Sequence, residues 1–336
     1  MTEAVQYKKK DFASDQDVKW CPGCGDYAIL SALQLALTKA GKKREDIVCV
    51  SGIGCSSRFP YYMGTYGMHT IHGRAPAFVS GIKCANPDLT VWMITGDGDG
   101  LSIGGNHLIH ILRRNFDVNI LLFNNEIYGL TKGQYSPTSK QGLVTKSTPY
   151  GSVDRSFNPG ELVMGAGSTF IAKTLDTDPK HMQEIMLAAD QHKGASFVEV
   201  YQNCVIFNDK VHEDYTNRKT RDDFAVFVKH GEPLVFGKEV KKGVKLNGFN
   251  LELVELKDDN DTEGLIVHDK HNKNLASLLL AANENPEMPK FIGVLYQAEA
   301  PSYESQLHDQ LDAVKEKKGE PDFNKLLNSG DTWTVS

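Results

Sequence analysis

The sequence predicts an α/β fold: a doubly wound, mostly parallel sheet followed by a small mixed C-terminal extension. Four short runs, residues 47–50, 91–95, 118–123 and 197–201, are rich in β-branched and aromatic residues and do not alternate with polar ones. Strands that are buried on both faces have this pattern. Helical stretches separate these runs, as the crossover connections of a parallel sheet require.

Helical periodicity fills the intervals between the predicted strands. Apolar residues recur at Ile29, Leu30, Leu33 and Leu37, which predicts an amphipathic helix over residues 27–40. Further helices are predicted over residues 75–85, 103–113, 180–192 and 271–282. The long polar stretch 132–159 contains several glycines and prolines, and we expect it to be a functional loop over a site.

The chain is predicted to have three parts. Residues 1–20 are polar, lack a sustained periodicity and are predicted to form an N-terminal arm. Residues 21–205 contain the alternation of strands and helices. The composition changes beyond residue 205, and residues 206–336 are predicted to form a C-terminal extension with a few strands or hairpins over 233–256 and a polar tail from residue 304.

Charge and hydropathy exclude several classes of protein. The 336 residues include 37 Lys and Arg against 43 Asp and Glu, a net charge of −6, which argues against a nucleic-acid partner. We find no apolar stretch of the length that a membrane helix needs and no apolar segment of a secretory signal. We therefore expect a cytoplasmic protein, whose six cysteines are better explained by metal or cofactor ligation than by disulfides.

Carboxylate and amide side chains follow two consecutive predicted strands. Gly96-Asp97-Gly98-Asp99-Gly100 follows strand 91–95, and Asn124-Asn125 follows strand 118–123. Both strands of a right-handed crossover end at the same edge of the sheet, so Asp97 and Asn125 should lie side by side there. Their oxygens, with a backbone carbonyl and two phosphate oxygens, would nearly fill the octahedral shell of Mg²⁺.

Two other interpretations of this glycine-rich turn are weaker. A nicotinamide-binding fingerprint would read G-x-G-x-x-G with an acidic ribose ligand further on, and neither is present. A turn that merely connects a strand to a helix would leave the Asn124-Asn125 pair unexplained. The glycines instead allow a diphosphate to approach the backbone, and the start of the following helix favours its negative charge.

Four cysteines are predicted to meet at the same edge of the sheet. A C-x-x-C pair precedes the first helix, and two single cysteines follow strands 47–50 and 197–201. By spacing alone, the pair could be a redox dithiol, half of a zinc site or two iron–sulfur ligands, and four thiolates suit Zn²⁺ or a 4Fe-4S cluster. These four are Cys21, Cys24, Cys55 and Cys204; Cys49 and Cys84 are interpreted as packing residues.

In this order along the chain, the motifs resemble the beta subunit of 2-oxoacid:ferredoxin oxidoreductases, most closely the 2-oxoglutarate type. The resemblance covers about residues 17–210 and implies a sheet of the thiamine-diphosphate-binding type; the remainder matches only loosely. The motifs are Trp20-Cys21-Pro22-Gly23-Cys24-Gly25, Ser51-Gly52-Ile53-Gly54-Cys55-Ser56-Ser57, His72-Gly73-Arg74-Ala75-Pro76, Gly96-Asp97-Gly98-Asp99, Asn124-Asn125-Glu126-Ile127-Tyr128-Gly129-Leu130-Thr131 and Cys204.

The resemblance implies thiamine diphosphate, Mg²⁺ and one 4Fe-4S cluster as cofactors. Mg²⁺ would be ligated by the side chains of Asp97 and Asn125 and by the carbonyl of Ile127. The cluster would be held by Cys21, Cys24, Cys55 and Cys204. The residues that would contact the cofactors are Ile53, Gly54, Cys55, Ser56, His72, Gly73, Arg74, Gly96, Gly98, Asp99, Gly129 and Leu130.

The resemblance also implies an activity and its partners. A 2-oxoacid would be oxidatively decarboxylated with coenzyme A, or formed by the reverse reductive carboxylation, and electrons would pass through the cluster to ferredoxin. An alpha subunit would supply the glutamate that activates thiamine, in a heterodimer or an (αβ)2 heterotetramer. Arg58 would bind the distal carboxylate of the substrate, which favours 2-oxoglutarate, and Lys132 and His72 would lie near it.

Three alternatives stay open from the sequence. The substrate could be pyruvate or a broad range of 2-oxoacids. A non-redox thiamine enzyme would explain Asp97 and Asn125 but leave the four cysteines without a role. A zinc-stabilised, non-catalytic binding subunit would explain the cysteines but leave the glycine-rich turn as a coincidence.

Overall fold

The structure is a computed structural model that describes residues 6–258 and 261–335. Residues 1–5 of the predicted arm, and residues 259, 260 and 336 of the predicted extension, lie outside the described residues. The helices are α1 Asp26–Leu37, α2 Ala75–Ala85, α3 Asp97–Leu101, α4 Gly105–Arg113, α5 Pro159–Gly165, α6 Pro179–Gln191, α7 Glu213–Thr216, α8 Arg221–Phe224, α9 Lys273–Ala282, α10 Tyr303–Lys318 and α11 Phe323–Leu327.

Two sheets contain all the strands of the described part. The strands are β1 Ile47–Ser51, β2 Tyr66–His69, β3 Thr90–Gly96, β4 Val118–Asn124, β5 Phe170–Leu175, β6 Ala195–Tyr201, β7 Ala225–Phe227, β8 Val235–Phe236, β9 Lys242–Asn247, β10 Asn250–Glu255 and β11 Lys290–Gln297. The main sheet has the order β2-β1-β3-β4-β6-β5-β11-β7, and β10-β9-β8 form a small antiparallel sheet.

The main sheet is parallel apart from one junction. Strand β11 runs antiparallel to β5, and β7 runs parallel to β11. Alternate residues of the central strands face two separate apolar cores. In β1, Val48 and Val50 pack with α2 and α4, whereas Ile47 and Cys49 pack with α1 and α6. Helices therefore cover both faces, which confirms the predicted doubly wound, mostly parallel sheet with a small mixed extension.

The four predicted strands are present, each extended by one or two residues, and the five predicted helices occur close to their expected bounds. Strands β2, β5, β7 and β11 were not predicted. The polar tail from residue 304 contains α10, apart from its first residue, and α11, and Glu304 near the start of α10 is buried. Strands β7 and β11, which lie in the predicted C-terminal extension, join the main sheet. The domain boundary at residue 205 stays a prediction.

None of the helices within residues 6–258 and 261–335 is both long enough and apolar enough to cross a membrane.

Candidate cofactor and cluster site

Four adjacent strands at the centre of the main sheet end at one edge. Strand β3 lies between β1 and β4, and β4 lies between β3 and β6, with Ser51 paired to Ile94 and Gly96 paired to Phe123. The segment after each strand carries a predicted ligand side chain. In the order of the sheet these are Cys55, Asp97, Asn125 and Cys204.

Two cavities lie at this edge. The acidic cavity, of about 150 Å³, is lined by Asp97 and Asp99 and by most of the residues predicted to contact the cofactor. The cysteine cavity, of about 220 Å³, is lined by all four predicted cluster ligands. The predicted residues that line the acidic cavity are Ile53, Gly54, Cys55, Ser56, His72, Gly96, Asp97, Gly98, Asp99, Asn125, Ile127, Gly129 and Leu130.

Asp97 is a buried carboxylate held by two hydroxyl groups. Ser136 Oγ donates to Asp97 Oδ2 at 2.5 Å, and Thr138 Oγ1 donates to the same oxygen at 2.6 Å. Burial raises the pKa of Asp97 to about 6, although these hydrogen bonds act in the opposite direction. A bound divalent cation would offset the cost of burying this charge, so Asp97 fits the role of a Mg²⁺ ligand.

Asn125 and Ile127 belong to a short segment after β4 with an unusual backbone. Glu126 between them has a φ of 55°, a left-handed conformation that is rare for residues other than glycine and is concentrated at functional sites. Two side chains support this turn, because Ser139 Oγ donates to the Glu126 carbonyl at 2.5 Å and Asn208 Nδ2 donates to the Asn125 carbonyl at 2.9 Å. The Asn125 amide donates to Gln202 Oε1 at 2.7 Å.

Asp99 ties three loops of the site together. Its Oδ1 accepts hydrogen bonds from the backbone N–H groups of Ile53 at 3.0 Å and Gly73 at 2.8 Å, and it lies 2.5 Å from His72 Nδ1. Its Oδ2 accepts from Thr95 Oγ1 at 2.7 Å. Both oxygens are thus engaged by protein donors, so Asp99 positions the loops that surround the cavity.

Gly98 and Gly54 have different roles in the site. A Cβ at Gly98 would lie 2.2 Å from the ring of Tyr128, whose hydroxyl donates to the Gly98 carbonyl at 2.9 Å. Gly54 has a φ of 129°, and a Cβ there would meet no atom within 4 Å. Gly98 is therefore needed for packing within the protein, whereas Gly54 leaves open space in the acidic cavity.

The thiols of the cysteine cavity lie close to one another. The Sγ atoms of Cys204 and Cys55 lie 3.5 and 3.6 Å from the position that a Cβ would take at Gly129. Gln202 Nε2 donates to Cys24 Sγ at 3.4 Å, and the N–H of Gly25 donates to the Asn203 carbonyl at 3.2 Å. The C-x-x-C turn is thereby attached to the loop that carries Cys204.

The acidic groups around the cysteine cavity are disfavoured in their charged forms, and a bound cation would stabilise them. Burial raises the pKa of Cys24 well above its ordinary value and that of Cys55 to about 12, and repulsion from Asp26 and from the neighbouring thiolates adds to both shifts. Burial also raises the pKa of Asp26 to about 7. Iron ions among the sulfurs would stabilise these thiolates. No three His, Cys, Asp or Glu side chains within residues 6–258 and 261–335 are grouped tightly enough to hold a single metal ion.

An aromatic cluster anchors the end of the N-terminal arm beside the cysteines. The indole N–H of Trp20 donates to the Cys55 carbonyl at 2.7 Å, and the Tyr27 hydroxyl donates to the Trp20 carbonyl at 3.1 Å. The Trp20 ring packs edge-on against Tyr62 with a centroid distance of 4.8 Å. These contacts fix the backbone immediately before Cys21.

The predicted cationic residues lie in different surroundings. Arg58 lines the cysteine cavity and donates from Nη1 to the Lys19 carbonyl at 3.1 Å. The Arg74 guanidinium contacts His107, and Gly73 contributes its N–H to Asp99. Lys132 is exposed and has a φ of 76°. Of the predicted charged residues, only His72 joins Asp97 and Asp99 at the acidic cavity itself.

Several residues of the site were not predicted. Ser136, Thr138 and Ser139 contact the predicted metal-binding segments directly, and Asp26 and Gln202 line the cysteine cavity. The only signal in the sequence was the choice of residues 132–159 as a functional loop. Neither the spacing nor the residue types identified which members of that loop reach the site.

Comparisons with known proteins agree on one family. The family described as "Thiamine pyrophosphate enzyme, C-terminal TPP binding domain" matches residues 39–200. The 2-oxoglutarate oxidoreductase subunit KorB of Mycobacterium tuberculosis is 49% identical over 333 residues, which cover 98% of this chain and 88% of the relative. The 2-oxoacid:ferredoxin oxidoreductase 1, subunit beta, of Aeropyrum pernix is 47% identical over 190 residues, or 56% of this chain and 60% of the relative.

A solved structure is similar over nearly its whole length. It is described as 2-oxoglutarate:ferredoxin oxidoreductase from Magnetococcus marinus with 2-oxoglutarate, coenzyme A and succinyl-CoA bound. The TM-score is 0.77 at 31% identity, with 98% of each chain covered. The similarity therefore includes most of the C-terminal extension.

Proposed function

Because the chain belongs to the family of 2-oxoacid:ferredoxin oxidoreductase beta subunits, we propose that it forms, with an alpha subunit, an enzyme that oxidatively decarboxylates 2-oxoglutarate. The products are succinyl-CoA and CO2, and the same site serves the reverse reductive carboxylation. Electrons leave through a 4Fe-4S cluster to ferredoxin. The 2-oxoglutarate, coenzyme A and succinyl-CoA in the Magnetococcus marinus structure support this choice of substrate.

One observation carries the proposal: the acidic cavity and the cysteine cavity share a wall. Cys55, Asn125, Gly129 and Leu130 line both cavities. When bound, thiamine diphosphate supplies the carbanion chemistry of decarboxylation, and the cluster supplies one-electron transfer. An acceptor held by the thiols would therefore lie next to the place where electrons become available.

The residues of this chain have separate tasks in the proposed site. Asp97 and Asn125, with the carbonyl of Ile127, would ligate Mg²⁺, since carboxylate, amide and carbonyl oxygens are its preferred protein ligands. The open space at Gly54 admits part of the cofactor. His72, which lines the acidic cavity, and the exposed Lys132 would lie near the substrate.

Arg58 is proposed to bind the distal carboxylate of 2-oxoglutarate. Its guanidinium has the fork of donors that pairs with a carboxylate through two parallel hydrogen bonds. It also lies among the thiols, where its charge lowers the pKa of Cys55 and partly offsets the larger effect of burial. A substrate with a distal carboxylate gains from this charge, whereas pyruvate does not.

A zinc-stabilised, non-catalytic subunit is the alternative from another class. Structural zinc needs four ligands at about 2.0–2.3 Å from one ion. The thiols here surround a cavity of about 220 Å³ instead. Its shared wall with the acidic cavity also favours an electron acceptor over a structural ion.

Iron and acid-labile sulfide analysis of the purified chain tests the cluster directly. We expect equal amounts of iron and sulfide and a broad visible absorbance that bleaches on reduction. Cys204→Ser should lose both, whereas Cys84→Ser, on the partly buried face of α2, should retain both. Stoichiometric zinc without sulfide would contradict the proposal.

The thiamine assignment is tested on the assembled two-subunit enzyme. We expect the purified complex to retain thiamine diphosphate and Mg²⁺, and Asp97→Ala to release both while keeping its iron. Turnover with 2-oxoglutarate, coenzyme A and oxidised ferredoxin should follow the retained cofactor. A complex that turns over normally after loss of thiamine diphosphate would exclude the proposed chemistry.

A further inference from the structure

The segment Ser136-Pro137-Thr138-Ser139, which we call the SPTS turn, contacts Asp97 of the acidic cavity. It belongs to the long loop between β4 and α5, most of which is exposed or half-buried. Its three hydroxyl residues are nevertheless almost fully buried, with exposed fractions of 2%, 5% and 3% for Ser136, Thr138 and Ser139. Buried hydroxyl groups need hydrogen-bond partners, and here the partners are the Asp97 carboxylate and the Glu126 carbonyl.

The SPTS turn contacts both segments that would hold the metal. Ser136 and Thr138 donate to Asp97 Oδ2, and Ser139 donates to the carbonyl of Glu126 between Asn125 and Ile127. The turn also closes on itself, because the N–H of Ser136 donates to Ser139 Oγ at 2.8 Å. It therefore links the end of β3 to the end of β4 on the side of the ligands.

The hydrogen of the Thr138 hydroxyl has a choice of two acceptors. Its oxygen lies 2.6 Å from Asp97 Oδ2 and 2.9 Å from Asn124 Oδ1. A hydroxyl donates only one hydrogen, and a charged acceptor at the shorter distance forms the stronger bond. The hydrogen is thus directed to the carboxylate.

We propose that Ser136 and Thr138 are positioning residues that fix the Asp97 carboxylate in the orientation in which it binds Mg²⁺. This inference rests on the proposed function. Two donors on one oxygen hold the carboxylate plane and leave Oδ1 as the oxygen that receives neither hydroxyl. Groups that orient a metal ligand in this way contribute about 10–100-fold to metal affinity.

The test is a Mg²⁺ titration of the assembled enzyme at saturating thiamine diphosphate, with cofactor binding followed by calorimetry. We expect Thr138→Val and Ser136→Ala each to raise the Mg²⁺ concentration for half-maximal binding by about 10–100-fold. Thr138→Ser, which keeps the hydroxyl, should restore most of the affinity. Thr145→Val is the matched control, because the Thr145 hydroxyl is paired with Ser147 and Thr148 in the outer part of the same loop.

Two further measurements separate positioning from folding. Ser136→Ala should keep the iron content of the wild type, and its urea midpoint without Mg²⁺ should decrease only by the amount that one lost hydrogen bond to a charged group predicts, so that the variant is folded throughout the titration. A variant with a lower midpoint but an unchanged Mg²⁺ titration would show a merely structural turn and overturn the inference. If the wild-type complex binds no thiamine diphosphate in response to Mg²⁺, the proposed function fails, and this inference fails with it.

Discussion

Replacement of Asp99 should destabilise the protein strongly, because this one carboxylate is the acceptor for four donors. In Asp99→Ala the backbone N–H groups of Ile53 and Gly73 lose their partner inside the protein. A buried donor without a partner costs about 1–3 kcal/mol. The amide of the buried Gly73 bears this cost in full and that of the half-buried Ile53 only in part, which predicts a loss of about 1–6 kcal/mol from the free energy of unfolding, against a usual total of about 5–15 kcal/mol.

Asp99→Asn should lie between Asp99→Ala and the wild type. The amide oxygen can still accept from Ile53 and Gly73, and its NH2 group would face Thr95 Oγ1, which can donate instead to the Gly96 carbonyl at 3.2 Å. The charge is lost, and hydrogen bonds to charged groups contribute about 1.5–3 kcal/mol against about 0.5–1.5 kcal/mol for neutral ones. We therefore expect a loss of about 1–3 kcal/mol for this variant.

Urea unfolding of the full chain, followed by the fluorescence of the buried Trp20 and Trp92, measures these losses. Asp312→Ala, on the exposed face of α10, is the control and should stay within about 0.5 kcal/mol of the wild type. The order should be wild type, Asp99→Asn, Asp99→Ala. If Asp99→Ala behaves like the control, Asp99 does not tie the three loops together.

Three further predictions concern substrate, assembly and pH. Arg58→Ile should lower kcat/KM for 2-oxoglutarate by about 10–100-fold, the equivalent of one charge-assisted pair, and affect pyruvate far less; an equal loss on both would assign Arg58 to the cysteines. The isolated chain should show no turnover until the alpha subunit is added, and normal activity alone would refute a shared site. Burial lowers the pKa of His212 from 6.5 to about 4, so the folded protein binds this proton less readily than the unfolded chain. Above pH 6.5 this difference does not affect the free energy of unfolding, because His212 is neutral in both states. As the pH falls towards 4 the free energy of unfolding decreases, by about 2 kcal/mol at pH 5. His212→Gln should lack this part of the decrease in urea unfolding at pH 7 and pH 5, and identical decreases would refute the assignment.

The central strands could be predicted because their sequences are apolar on both faces. Because these strands are parallel, the residues that follow them lie at one edge of the sheet even though they are far apart in the sequence. The structure brings four of these residues together there: Cys55, Asp97, Asn125 and Cys204. The side chains that complete this arrangement depend on how the loops fold. The SPTS turn could not be identified, because serine and threonine are common in exposed loops and their spacing carries no signal.

Strand β5 was missed for an electrostatic reason. Lys173 lies in the middle of the strand and is only 2% exposed, whereas lysine in a sequence usually indicates a surface. Its ammonium group pairs with Glu199 at 2.9 Å, directly across from it in β6. A buried charge is tolerated when such a partner is present, but the partner is 26 positions away along the chain. Strand β2 was missed because its four residues are exposed at the edge of the sheet.

Gly129 belongs to the wall that the two cavities share. Any larger residue would place its first carbon within 3.6 Å of two sulfurs and, at the same time, border the acidic cavity. A side chain at this position would therefore contact the cysteine thiols and the acidic cavity at once. We expect a substitution there to change both cavities together.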